Sequence, residues 1–154
     1  MASIFYNQKF KIHYDENIIK RNFELIKFVF KLPNDINEIH QKKSFLFSND
    51  KFLIQNLSEE KKNILLIPGA SYPSKQYPYK KFAELTKLLD AHFFLIFGNE
   101  EEEKIANRIK SISPEVTLCE KLSVCSLISL VKQVDLVIGS DTGPTHFALS
   151  LIHI

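Results

Sequence analysis

Val134-Asp135-Leu136-Val137-Ile138-Gly139-Ser140-Asp141-Thr142-Gly143-Pro144-Thr145-His146-Phe147-Ala148-Leu149 is the stretch that decides the fold. Val134 to Ile138 is a short apolar run and reads as a buried strand. Phe147-Ala148-Leu149 reads as the start of a helix. Between them lie glycines, hydroxyls, a carboxylate and an imidazole. A strand that ends in such a turn and opens a helix points backbone N–H groups outward. With the positive end of the helix dipole, they bind anions, phosphates above all. An ordinary junction explains the same residues, with Gly143 relieving the turn and Asp141 or Thr142 capping the helix.

Upstream, the pattern repeats. Ile64-Leu65-Leu66-Ile67 is an apolar run ended by Pro68-Gly69 and reads as a buried parallel strand. The loop Ala70–Pro78 leads to a helix over Tyr79–Asp90. A strand follows over His92–Phe97, ended by Gly98, then a helix over Glu100–Ile112 with an acidic first turn. Val116-Thr117-Leu118 is a short strand, and Ser123 caps a helix running to Gln133. Strands alternating with helices from residue 63 onward indicate an α/β fold, a parallel sheet with helices on both faces. The chain has 4 glycines, Gly69, Gly98, Gly139 and Gly143. All follow apolar strands, so all are expected at the carboxyl edge of the sheet, where open α/β sheets bind ligands.

The N-terminal part is less regular. Residues 1–15 alternate Phe5, Tyr6, Phe10, Ile12 and Tyr14 with lysines, as a strand or extended arm does. From Glu16 to Lys31 the period is helical, with Ile19, Phe23, Ile26 and Phe30 on one face and Pro33 as the stop. That helix reads as packed on its own domain with solvated lysines, contact with an anionic partner or membrane surface being the alternative. Phe45-Leu46-Phe47 reads as a short strand, Lys51–Leu57 as a helical turn or two, and Ser58–Lys62 as a polar linker.

Composition bounds the class. A chain of 154 residues supports one domain with a real core. Its formal net charge of +2 gives no basis for nucleic-acid binding. No apolar run approaches the ~20 residues of a membrane span. Cys119 and Cys125 lack metal or redox spacing and read as buried thiols of a reducing compartment.

Chemistry at the carboxyl edge rests on few residues. Lys75, bracketed by Pro73 and Pro78, faces the same edge as Thr142 and Gly143 and could neutralise a diphosphate, or be a solvated lysine. One carboxylate of Glu100–Glu103 could accept from ribose hydroxyls, or all could simply complement the helix dipole. His146 is a candidate donor to a phosphate or sugar, or a helix residue packed under the loop. Asp141 and His146 have no metal-ligand spacing, and neither a Walker-type loop nor a Gly-x-Gly-x-x-Gly occurs.

Ser140-Asp141-Thr142-Gly143-Pro144-Thr145-His146-Phe147-Ala148 resembles the Asp-Thr/Ser-Gly-x-x-His-x-Ala signature of glycosyltransferase family 9, the lipopolysaccharide heptosyltransferases. Pro68-Gly69-Ala70-Ser71 with Lys75-Gln76-Tyr77-Pro78 resembles that family's loop, Tyr77 replacing the usual Trp. Phe5-Tyr6-Asn7 and Lys20-Arg21-Asn22 are nearer the heptosyltransferase I pattern than that of heptosyltransferase II. The resemblance implies a GT-B architecture, two Rossmann-like domains facing a cleft. Residues 1–60 would be an arm, helix and linker from the end of the acceptor domain. Residues 61–154 would be the nucleotide-sugar-binding domain, truncated at its C-terminus.

By position, the resemblance implies that Lys75 and the backbone at Thr142 and Gly143 hold a diphosphate, with Ser71 beside them. Glu102 or Glu101 would meet the ribose, Leu122 the adenine, and Asp141 the heptose, with His146 near phosphates or sugar. It implies heptose transfer from ADP-heptose to Kdo-lipid A in lipopolysaccharide core synthesis, with no cofactor and no metal. It implies a cytoplasmic protein with room for peripheral contact at the inner membrane. The catalytic base would lie in the other domain, so these residues alone would be inactive. Two readings compete: a GT-B transferase using another nucleotide sugar, and a non-catalytic nucleotide-binding regulatory module. The nucleotide bound and the sugar preference separate them.

Overall fold

Four consecutive apolar residues with no polar face make sense only for a strand covered on both sides. The computed structural model, which describes residues 8–41, 46–50 and 52–151, puts them there. In β1 (Lys62–Ile67), successive side chains point to opposite faces of the sheet. Ile64 and Leu66 join a core with Phe93 and Leu95 of β2 (Ala91–Leu95). Phe82 of α2 (Tyr79–Leu88) and Ile109 of α3 (Glu100–Ile112) close that side. Leu65 and Ile67 face the other way, onto Leu127, Leu130 and Val131 of α4 (Val124–Val131) and Ala148 of α5 (Gly143–Leu151). The expected helix–sheet–helix layering is therefore what the side chains build.

All strand pairs are parallel, and the order is β3-β2-β1-β4, with β3 at Thr117–Leu118 and β4 at Leu136–Gly139. The chain moves outward from β1 through β2 to β3 and then crosses back to the far side of β1. The carboxyl ends of β1 and β4 thus flank a reversal of strand order, with Ile67 opposite Gly139. Open α/β sheets bind ligands at such a point. Close approach here requires a glycine. A Cβ on Gly139 would overlap the Thr145 hydroxyl and come within 2.9 Å of Ile67 Cβ. Gly139→Ala should therefore lower unfolding stability by roughly 1–3 kcal/mol, as an overpacked core does. Denaturant unfolding measures it, and an unchanged midpoint would show that α5 yields freely.

The chain divides into two units, Met1–Lys43 and Ser44–Ile154. The second unit begins ahead of residue 61, where the resemblance would start the nucleotide-sugar-binding domain. Phe52 and Ile54 pack on the core of the α4 face. Gln133 accepts from the Ile54 N–H at 3.1 Å and donates to the Phe52 carbonyl at 2.8 Å. Residues 52–57 form no helix, contrary to expectation: these ties hold 52–54 against the α4 side, and a turn at 55–56 follows.

In the first unit, α1 (Ile18–Phe30) is capped by Asn17, whose Oδ1 accepts from the Ile19 N–H at 2.8 Å. It ends at Lys31, in the left-handed region at φ 52°, before Pro33 is reached. Residues 8–15 form no strand. The apolar face of α1 is not covered as expected: Ile19, Ile26 and Phe30 are exposed and no residue of the helix is buried. Local contacts lie on the opposite side of the helix, the Phe10 ring at 5.2 Å from that of Phe28 and the Arg21 guanidinium over Tyr14. Phe5, Tyr6, Phe45 and Lys51 lie outside the described residues.

Candidate functional site

Two segments leave the sheet side by side at the β1/β4 switch. After β1, Pro68 ends the ladder, since it has no N–H to donate. A short 3-10 turn at Pro73–Lys75 then brings Lys75 round to the turn after β4. Lys75 Nζ lies 2.8 Å from Asp141 Oδ2, and His146 Nε2 lies 3.0 Å from Asp141 Oδ1. One carboxylate therefore joins a lysine and an imidazole from two different segments. The hydrogen bond from Lys75, then that from His146, holds the Asp141 carboxyl below its ordinary range. All three side chains are about half exposed, so these pairs contribute little to stability and exchange readily for a ligand.

The α5 helix begins at Gly143, four residues ahead of the Phe147 start read from the sequence. Pro144 sits in its first turn, where a missing N–H costs nothing. The Asp141 carboxylate just before it is engaged by Lys75 and His146. Thr142 supplies its carbonyl to the His146 N–H at 3.1 Å. The first turn of α5 thereby faces the switch point.

A second constellation forms where β2 ends. Asn99 caps α3 by accepting from the Glu102 N–H at 2.9 Å. Glu102 in turn reaches back past the cap, and its Oε2 accepts from the Gly98 N–H at 2.7 Å. This resembles a capping box displaced by one residue. The carboxyl group occupies the space over Gly69, where a Cβ would overlap it. Gly69 and Gly98 have no positive φ. Gly69 is thus needed for the room it leaves, not for a special turn.

These parts enclose a cavity of about 370 Å³. Glu102 lines it beside Gly69 and Gly98, Thr142 and Gly143 bring the start of α5, and Leu122, Leu127 and Phe147 supply apolar surface. Of the expected site residues, Glu102, Leu122, Thr142 and Gly143 line this cavity. Lys75, Asp141 and His146 form the linked group next to it. Glu101 and Ser71 are exposed and outside the lining; on α3 it is Glu102, its side chain held by the Gly98 N–H, that turns inward. Sequence reasoning missed the interlock of Gly69 and Gly98 with Glu102 and the apolar share of Leu127 and Phe147. The signal was present in part, as glycines after strands and an inward helix face. Neither cysteine is fully buried: Cys119 is half-buried, its thiol pushed up to about 11 by burial, and Cys125 is exposed. Among the described residues no helix is long and apolar enough to cross a membrane.

A family model described as glycosyltransferase family 9 (heptosyltransferase) matches residues 1–153. The chain belongs to this family. Lipopolysaccharide heptosyltransferase 1 of Campylobacter coli is 37% identical, over 97% of this chain and 48% of its own length. Lipooligosaccharide heptosyltransferase 2 of Campylobacter jejuni subsp. jejuni is 29% identical, over 91% of this chain and 47% of its own. The fold is shared with the solved E. coli heptosyltransferase WaaC with ADP-2-deoxy-2-fluoro heptose, at a TM-score of 0.66, 24% identity, and coverage of 97% of this chain and 47% of that one. The chain spans about half the length of the curated family 9 relatives it matches.

Proposed function

We propose that these residues are the donor-binding part of an inverting heptosyltransferase, holding ADP-heptose for transfer to Kdo-lipid A in lipopolysaccharide core synthesis. One observation carries the reading: a mostly apolar cavity with a carboxylate opens at the β1/β4 switch beside the start of a helix and an exposed lysine. That is the polarity a nucleoside diphosphate requires. The base lies against Leu122, and the Glu102 carboxylate accepts from ribose hydroxyls. The diphosphate meets the first-turn N–H groups of α5, its dipole and Lys75, so the reading calls for no metal. Asp141 and His146 are left to contact the sugar and the phosphate next to it. The adenine and heptose assignments rest on family membership and on the ligand of the WaaC neighbour.

Neither carboxylate at the site is free to act as a general base. Asp141 is engaged by both Lys75 and His146, and Glu102 by the Gly98 N–H. The acceptor and the base belong, on this reading, to the other half of the relatives' length. The location that goes with it is cytoplasmic, with peripheral contact at the inner membrane. Calorimetric titration with ADP, UDP and ADP-heptose tests the proposal. ADP should bind and UDP should not, and ADP-heptose should bind more tightly than ADP. With ADP-heptose and a Kdo-lipid A acceptor, this chain should release no ADP above background. UDP preference would mean another nucleotide sugar. Equal affinity for ADP and ADP-heptose would favour a nucleotide-binding module without transfer.

A further inference from the structure

We infer that Ser140 is a positioning residue whose hydroxyl holds the loop that delivers Lys75 to the distal phosphate. This rests on the nucleotide reading above and assigns a role to a residue that touches no ligand in it. Ser140 is buried, at 4% exposure. Its Oγ donates to the Pro68 carbonyl at 3.1 Å and accepts from the Tyr77 N–H, also at 3.1 Å. Those two partners are the first residue of the loop and the residue two beyond Lys75. A single hydroxyl therefore pins both ends of the segment that carries the lysine.

The rest of the residue is equally engaged. The Ser140 N–H donates to the Ile67 carbonyl at 2.9 Å, and its carbonyl accepts from Thr145 Oγ1 at 2.8 Å. The next residue is Asp141, the partner of Lys75. The spacing between lysine and carboxylate is thus set by one side chain on the carboxylate's own turn. The job needs a group that donates and accepts at once, which a hydroxyl does and a methyl does not. Between the pins, the Gln76 N–H returns to the Pro73 carbonyl at 3.2 Å, so the short turn with Lys75 moves as one piece. Tyr77 is 53% exposed. Once released, its amide can turn to water, and the loop shifts while the sheet stays folded.

Lys75 lies outside the cavity lining, so its share falls on the phosphate farther from the nucleoside. The effect of Ser140 must then appear with ADP and not with AMP. ADP and AMP are titrated into the wild-type chain, Ser140→Ala, Ser140→Cys, Lys75→Ala and the Ser140→Ala/Lys75→Ala double variant. Amide hydrogen exchange at Tyr77 is followed without ligand. Ser140→Ala should weaken ADP binding roughly five- to tenfold, the scale of one lost hydrogen-bond tie, and change AMP binding by less than about twofold. Ser140→Cys, of similar size and with a weak donor and acceptor, should fall between. In the Lys75→Ala background Ser140→Ala should add almost nothing, since both act through one group.

Equal losses for ADP and AMP would make Ser140 a structural residue only, and a full loss in the Lys75→Ala background would detach it from the lysine. Unchanged exchange at Tyr77 in Ser140→Ala would overturn the loop tie even if ADP binds. A wild-type chain that ignores ADP would instead overturn the nucleotide reading, and the phosphate role with it.

Discussion

Lys75→Ala should weaken ADP binding by roughly ten- to a hundredfold, the range for one charge-assisted phosphate contact of about 1.5–3 kcal/mol. Two effects act in the same direction. On the proposed reading the variant loses the ammonium that would meet phosphate, and it leaves Asp141 facing the diphosphate without its first partner. Folding should be unaffected, because the Lys75–Asp141 pair is half exposed and such pairs contribute little. Giving up Asp141 for a ligand is cheap for the same reason. Lys80→Ala and Lys81→Ala are the controls. Both lie at the start of α2, and Lys81 is already paired with Glu84 at 2.7 Å. Calorimetric titration of the three variants decides. Equal affinities would reduce Lys75 to a solvated surface charge and end the phosphate reading of its loop.

The fold was legible where burial leaves a simple trace. A strand covered on both faces must be apolar throughout, and Ile64–Ile67 is. The Glu100–Ile112 helix was legible at both ends, with its acidic first turn following Gly98-Asn99. Where long-range side-chain ties replace periodicity, nothing local remains to read. Residues 52–54 are held by Gln133, far along the chain, and carry no pattern of their own. The start of α5 shows in its cap candidates Asp141 and Thr142 and not in the apolar run at Phe147, because Gly143 and Pro144 give its first turn no apolar pattern.

The candidate site divides along the same line. That Lys75 and the Asp141 turn share an edge follows from strand order, and the glycines point there too. That Lys75, Asp141 and His146 meet is geometry, set by a 3-10 turn and a buried serine. Glu101 and Glu102 are equivalent in composition, and what separates them is the Gly98 N–H that holds the Glu102 side chain.

Gly69→Ala should cost as much nucleotide affinity as Glu102→Ala while leaving the fold intact. A Cβ at residue 69 would overlap the Glu102 carboxyl carbon and one of its oxygens. What it meets is the far end of a flexible side chain, so the chain yields there without disturbing the core. Gly69 has no positive φ, so an alanine backbone fits. The glutamate would swing away, abandoning the Gly98 N–H that now orients it at 2.7 Å. If that carboxylate accepts from ribose hydroxyls, its displacement forfeits a charged hydrogen bond, roughly tenfold or more in affinity. The loss should be specific in three ways. Binding of 2′-deoxy-ADP should fall less than binding of ADP, since one hydroxyl is already gone. The Gly69→Ala/Glu102→Ala double variant should bind no more weakly than either single one, because both remove the same contact. Thermal unfolding should stay close to wild type, in contrast to Gly139→Ala, whose added methyl meets Ile67 on the sheet. A Gly69→Ala chain that binds ADP as the wild type does would show that Glu102 serves only to cap α3, and the ribose would need another partner.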